Sequence, residues 1–283
     1  MGLDTYIKLV RFPNALLSGV GALLSVLVYV EYSLNPSLHS LLVIGFITGF
    51  SLTGSCMIIN DIVDLEVDKV NKPWKPLPRG DLSIRAALTI AINMALLSIV
   101  LNFFFGLTLF AVTLLYAVVG IAYSFLRRHW WSHFLVAFST TGPVIYGYVA
   151  TGLPARDLYF TVLFSFTIFT VTLGREFLKA IQDVEGDRIH SYRTIATALG
   201  VEKASRATLF VSLIGSILGL ATTTLSAGGV YKVLITIASI LYSYSMFRAL
   251  TRLSDREVLE GTRRKTLQAM ALGMAAFWLS KLP

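Results

Sequence analysis

Cysteine occurs once in the 283 residues, at Cys56, so no internal disulfide framework can form. Lying inside an apolar run, Cys56 is expected as a small buried core residue. Charge is scarce: Asp, Glu, Lys and Arg make up 14% of the chain, against about 25% in a soluble domain. The four histidines, His39, His129, His133 and His190, form no ligand constellation. His129 and His133 are four apart, but Trp130 and Trp131 between them mark an interfacial belt. No Gly-Lys-Ser/Thr loop occurs, and the close glycines of SGVGALL at 18–24 follow no strand, which excludes phosphate-binding and dinucleotide-binding loops. With SLIGSILGL at 212–220 they read as helix-packing positions. The apolar runs lack the period-two alternation of a membrane barrel.

What the chain has is apolar length. Hydrophobic residues make up 55%, and the mean hydropathy is +0.71, the composition of an integral membrane protein. The fold class is therefore all-α, a polytopic membrane protein with residues 1–283 as one domain. A span needs about 20 mostly apolar residues. Nine segments qualify: 12–30, 38–60, 86–103, 106–124, 131–150, 158–182, 204–223, 230–247 and 266–280. The last is the shortest. Lys8 and Arg11 ahead of an apolar stretch mimic a signal peptide, but no small-x-small cleavage site follows, so the stretch is a retained first span.

The net charge of +8 suggests nucleic acid until the charges are placed. With nine spans, Arg156, Lys232 and Lys281 fall on one side, and the other 21 of the 24 Lys and Arg on or nearest the other. The positive-inside rule then puts the N-terminus in the cytoplasm and the C-terminus outside. Topology and attraction to anionic membrane lipids account for most of the excess, so no nucleic-acid partner is expected.

Half of the 16 acidic residues lie in two clusters on that basic side, at the ends of the second and sixth spans. NDIVDLEVDKVNKPWKPLPRGDLS, residues 60–83, places Asn60, Asp64 and Asp68 four apart, on one helix face, with Asp61 a turn before Asp64. REFLKAIQDVEGD places Glu176, Lys179, Asp183 and Asp187 in a matching stripe, with Gly186 expected to loosen the helix end. The pairing suggests a loose internal duplication. Like charges at i, i+4 destabilise a helix, and a divalent cation removes the conflict. Oxygen donors without His or Cys suit Mg²⁺, which binds through one or two carboxylates plus substrate phosphates. Lys72, Lys75, Arg79, Lys179 and Arg188 can take the remaining phosphate oxygens. The competing reading is a solvated helix boundary, in which Lys179 merely neutralises Asp183 through an i, i+4 ion pair.

NDIVDLEVD resembles the NDxxDxxxD motif of the UbiA superfamily of intramembrane prenyltransferases, at Asn60, Asp61, Asp64 and Asp68. DVEGD resembles its DxxxD motif, at Asp183 and Asp187. NKPWKPLPRGDLS is similar to its Asn-Arg-Pro-x-x-Pro-x-Pro-x-Gly-x-Ile/Leu-Ser segment, with Lys72 in place of Arg. YSFLRR at 123–128 and RFPN at 11–14 resemble two further segments, in family order. The resemblance implies nine transmembrane helices around a central cavity open laterally to lipid, and Mg²⁺-dependent transfer of a prenyl group from its diphosphate to a lipophilic acceptor. It implies Asn60, Asp64, Asp68, Asp183 and Asp187 as metal ligands, with Asp61 adjacent. Asp64, Asp68, Asp183 and Asp187 are then the catalytic carboxylates. Asn14, Arg11, Lys179, Tyr123, Arg79, Arg127 and Arg128 are the candidates for binding substrate. GREFLKAIQDVEGD most resembles archaeal digeranylgeranylglyceryl phosphate synthases, which implies a geranylgeranyl donor and geranylgeranylglyceryl phosphate as acceptor. The alternatives are an aromatic acceptor of quinone-type biosynthesis and a cation-coupled carrier. A phosphatidyltransferase is disfavoured, because its Asp-Gly…Ala-Arg…Gly…Asp helix pair is absent.

Overall fold

The computed structural model describes residues 2–30, 36–189, 191–226, 228–253 and 255–281; His190 lies outside them. Among the described residues fifteen α-helices follow one another: α1 Leu3–Leu9, α2 Phe12–Tyr29, α3 Pro36–Val63, α4 Leu65–Asn71, α5 Pro76–Arg79, α6 Ile84–Phe103, α7 Leu107–Leu126, α8 Ser132–Ser139, α9 Gly142–Ala150, α10 Leu158–Gln182, α11 Val184–Ile189, α12 Ile195–Leu199, α13 Val201–Ala221, α14 Gly229–Thr251 and α15 Arg256–Trp278. No strand occurs among the described residues.

Seven of these helices (α2, α3, α6, α7, α10, α13 and α14) are long and apolar enough to cross a membrane. Their outward faces carry large apolar side chains such as Leu97, Val100, Phe210, Ile217 and Ile240, all exposed. Only lipid makes such a surface favourable. The two other expected spans take different forms. Segment 131–150 is a pair of short helices, α8 and α9, interrupted at Thr140-Thr141. Pro143, one residue into α9, has no N–H to continue a helix from α8, and the Thr140 and Thr141 hydroxyls donate back to Ala137 and Phe138 carbonyls at 2.8 and 2.7 Å. Segment 266–280 is the apolar part of α15, whose first turns carry Glu257, Glu260, Arg263, Arg264 and Lys265.

The chain forms two compact units, residues 1–126 with 142–153, and residues 127–141 with 154–283. In the first, α2 packs on α3 and α9, and α3 on α6 and α7. Glycine sets the α2–α3 distance: a Cβ on Gly49 would lie 2.5 Å from the Ser18 carbonyl oxygen, and one on Gly19 2.8 Å from that of Phe46. The glycines of SGVGALL thus serve helix packing, as expected. Cys56 is only half-buried; it sits where α3 meets α7, its Sγ 2.7 Å from where a Gly120 Cβ would be. A buried polar knot holds the far end of the same unit, where Asn102 donates to Thr48 at 2.7 Å and accepts from the Tyr146 hydroxyl at 2.9 Å.

In the second unit α10 packs on α8 and α13, α13 on α14, and α14 on α15. Phe160, Phe164 and Phe277 stack face to face, with Tyr231 edge-on to Phe160. Gly215 of SLIGSILGL sits against Val171, and its added Cβ would lie 2.8 Å from the Thr170 hydroxyl.

The two units repeat one plan. A long helix (α3, α10) stops at an aspartate, two short helices follow (α4–α5, α11–α12), and two long helices return (α6–α7, α13–α14). The duplication suggested by the acidic clusters is therefore present in the order of elements.

Candidate active site

Both acidic motifs interrupt a membrane helix in the same manner. Asp64, between α3 and α4, has φ −88° and ψ 3°. Asp183, between α10 and α11, has φ −94° and ψ 7°. This is the sparsely populated bridge region, where many active-site residues lie. The hydrogen-bond ladder nevertheless continues across each interruption: Asp64 N–H donates to Asn60 O at 3.0 Å and Asp68 N–H to Asp64 O at 2.8 Å, while Asp183 bonds Lys179 O and Asp187 bonds Asp183 O, both at 2.9 Å. The four-residue stripes expected on a continuous helix thus survive a change of course at their central aspartate. Gly186 does not loosen the end; it lies within α11, and the interruption falls three residues earlier, at Asp183.

In the first motif Asp61, Asp64 and Asp68 are all buried, at 3, 7 and 3% exposure. Three buried carboxylates in one stripe need compensating charge. Lys75 supplies it: its ammonium bonds Asp61 at 2.8 Å and Asp68 at 2.5 Å. Local chemistry explains how Lys75 returns to the stripe. Pro76 opens α5 at the first helical position, and Gly80 closes it in the left-handed conformation at φ 77°. The Pro-rich segment is thus a rigid turn that carries Lys75 over α3, with Leu77 buried against Leu9, Val10 and Ile58. Asn60 donates to Asp64 at 3.1 Å. Arg11 completes the cluster, bonding Asp61 at 2.6 Å from a left-handed backbone at φ 49°. A non-glycine residue in that region is strained, and here the strain turns the α1–α2 corner that aims the guanidinium. Lys72 lies 3.6 Å from Asp68 and is half-exposed.

Other candidates lie elsewhere in this unit. Arg79 is exposed and pairs with Asp81 at 3.4 Å, outside the stripe. Asn14 is exposed on the first turn of α2, and Tyr123 is half-buried near the end of α7.

The second motif is more open. Asp183 is exposed and Asp187 half-buried, whereas Glu176 is buried at 7%. Lys179 does not pair with Asp183, the partner that the neutralising reading requires; it grips both oxygens of Glu176 at 2.9 and 3.0 Å, with Arg175 3.7 Å away. Arg127 and Arg128 are brought to this motif through Tyr192. Arg127 donates to the Tyr192 hydroxyl at 3.0 Å, both guanidinium carbons lie over its ring at 5.5 and 5.7 Å, and Tyr192 N–H bonds the Asp187 carbonyl at 2.8 Å. Ser191, the preceding residue, is left-handed at φ 55°.

Sequence reasoning missed Tyr192 and passed over His133. No motif flags Tyr192; only the Arg-Arg pair with an aromatic a few residues after an acidic cluster could have suggested the stack. The His133 ring packs edge-on to Phe177, and its Nε2, like the Arg175 Nε, is buried without a hydrogen-bond partner.

Among the described residues, no group of three or more His, Cys, Asp or Glu side chains is gathered as a metal site; Arg11 and Lys75 hold the first motif's carboxylate oxygens instead. The donor set still fits a hard cation. It is all oxygen, the three carboxylates of the first motif are buried, and Lys75 already places positive charge between two of them.

A family model described as the UbiA prenyltransferase family matches residues 18–279. The chain is 30% identical over 281 residues to a digeranylgeranylglyceryl phosphate synthase of Methanosphaera stadtmanae, covering 98% of each chain. It is 27% identical over 288 residues to the synthase of that name from Saccharolobus solfataricus, covering 100% of this chain and 99% of the other. Among solved structures, one described as a digeranylgeranylglyceryl phosphate synthase in membranes matches with a TM-score of 0.82 at 23% identity, over 99% of this chain and 98% of that one. A UbiA homolog from Archaeoglobus fulgidus, bound to GPP and Mg²⁺, matches with a TM-score of 0.67 at 18% identity, over 96% and 99%. With the family model spanning nearly its whole length and the two aspartate motifs in family order, the chain belongs to the UbiA prenyltransferase family and is a multi-pass membrane prenyltransferase.

Proposed function

We propose that the protein transfers a geranylgeranyl group from its diphosphate to the free hydroxyl of geranylgeranylglyceryl phosphate, forming the second ether bond of an archaeal membrane lipid. The observation that carries the reading is the buried carboxylate stripe of α3 and α4, whose charge is met by Arg11 and Lys75. The relatives named for this synthase activity support the choice of acceptor. Residues 1–283 act as one prenyltransferase domain, with the N-terminus in the cytoplasm and the C-terminus outside.

Asn60, Asp64 and Asp68 of the first motif, and Asp183 and Asp187 of the second, would be the residues that hold Mg²⁺, with Asp61 beside the first. The ion supplies charge stabilisation to the departing diphosphate. The chain's own residues bind and orient. Arg11 and Lys75, already on the carboxylates, exchange them for phosphate oxygens when the diphosphate arrives. Lys179, anchored by Glu176, adds a donor from the second motif. Arg127 and Arg128, fixed on Tyr192, hold phosphate oxygens of donor or acceptor. Tyr123 and Asn14 line the headgroup end, and Arg79 takes phosphate only after leaving Asp81. Asp68 accepts the acceptor's hydroxyl proton.

The test is purified protein with Mg²⁺, radiolabelled geranylgeranyl diphosphate and a panel of acceptors. With geranylgeranylglyceryl phosphate as acceptor, label is expected in digeranylgeranylglyceryl phosphate, with diphosphate released, and EDTA is expected to stop the transfer. Transfer to hydroxybenzoate or a naphthoate alone would reassign the acceptor. Cation flux in liposomes without any transfer would support a carrier instead.

A further inference from the structure

The helices α14 and α15 flank an open cleft of about 430 Å³ at the end of their hairpin, lined among others by Ser245, Arg248, Arg252, Arg264 and Lys265. It lies wholly in the second unit and contains none of the residues assigned to prenyl transfer. Its charge is unbalanced. Four cations face two carboxylates, Asp255 and Glu257. Asp255 is already committed, capping α15 by accepting from Val258 N–H at 3.1 Å. The side chains of Arg248, Arg252, Arg264 and Lys265 make no ion pair among the described residues. Arg206 of the same unit, by contrast, pairs with Glu202 at 2.6 Å.

Ser245 is among the residues lining the cavity. Ser245 is 1% exposed, and its hydroxyl is buried without a hydrogen-bond partner. A second observation concerns the helix outside the cavity. Val233, Ile237, Ile240, Tyr244 and Phe247 of α14, spaced by four and three, are all large, apolar and exposed. They form one stripe down a membrane-crossing helix, and Tyr244 both belongs to the stripe and lines the cavity.

From the basic cavity and the apolar stripe that reaches it at Tyr244, we infer that the α14–α15 hairpin binds one anionic lipid whose headgroup is a terminal phosphate, headgroup in the cavity and hydrocarbon chain along the stripe. Guanidinium forks match phosphate oxygens bidentately, and the cavity is large enough for a headgroup with its hydration. The stripe is what separates a lipid from free phosphate, which would use the cations alone.

The test is native mass spectrometry of the full chain in detergent micelles. The probes are phosphatidic acid with two oleoyl chains, phosphatidylcholine with the same chains, and inorganic phosphate. One phosphatidic acid adduct is expected, bound at least about tenfold tighter than phosphatidylcholine, as charge-assisted hydrogen bonds would give. Arg248→Gln with Arg264→Gln should abolish that preference. The charge-matched control, Lys203→Gln with Arg206→Gln, should retain it. Glu257→Gln should tighten binding, a gain that misfolding cannot mimic. Equal binding of phosphatidylcholine, no change in the Arg248/Arg264 variant, or no gain in Glu257→Gln would each overturn the inference. So would displacement of phosphatidic acid by an equal concentration of inorganic phosphate, which would leave a free-anion site only.

Discussion

Replacing Lys75 by methionine removes the cation that joins Asp61 to Asp68, leaving two carboxylates at 3% exposure with Arg11 as the nearer guanidinium. Breaking a buried pair from one side typically costs about 3 kcal/mol or more, so thermal unfolding of Lys75→Met should begin well below that of the parent, and transfer should be lost. A parent-like melting curve would show that solvent, and not Lys75, compensates the stripe. Asp68→Asn separates binding from chemistry. It should abolish turnover while diphosphate binding stays measurable, and full activity would remove Asp68 from the reaction. The motif residues were legible in the sequence because four-residue spacing survives any helix that keeps its i→i−4 ladder. Their partners were not. Lys75, Arg79 and Lys179 all read as bases near a carboxylate, and only the folded turn decides that Lys75 reaches α3, Arg79 turns to Asp81, and Lys179 turns back to Glu176. Arg11 could be placed near a helix start, but its left-handed backbone arises from the α1–α2 corner and leaves no mark in the local pattern.

At the scale of elements, hydropathy located the seven long helices because length and apolarity are what a bilayer selects. It did not show that 131–150 is interrupted, since Thr140 and Thr141 are tolerated in membrane helices; the local signal was Gly142-Pro143, which hydropathy does not register. Nor could it separate the apolar part of α15 from its charged first turns. The glycine motifs, by contrast, were readable as packing. Gly49→Val should therefore fail to close α2 on α3: its Cβ alone would lie 2.5 Å from the Ser18 carbonyl oxygen. Overpacking of this kind costs about 1–3 kcal/mol, read as a lowered melting temperature with reduced yield. Gly186→Ala is the contrast. Gly186 lies inside α11 with nothing within 4 Å of an added Cβ, and alanine favours a helix, so stability should hold or rise slightly. A large loss there would mean that the segment must unwind.

For the whole molecule, the charge split predicts which side each loop occupies. In a Cys56→Ser background, Lys72→Cys and Arg252→Cys should both label from the cytoplasmic face of oriented vesicles, and Arg156→Cys from the opposite face. Labelling of all three from one face would undo the nine-span topology. The repeated plan of the two units, each with a helix stopped at an aspartate near ψ 0°, gives the proposed function its central claim: Mg²⁺-dependent binding of the donor needs both aspartate motifs.

Equilibrium binding of geranylgeranyl thiodiphosphate, a slow-reacting donor analogue, tests that claim most directly. It should be measured with and without Mg²⁺ in the parent, in Asp64→Asn/Asp68→Asn and in Asp183→Asn/Asp187→Asn. The account predicts that Mg²⁺ strengthens binding in the parent and that either double substitution removes the Mg²⁺-dependent gain. Retention of the full gain in either variant would contradict it.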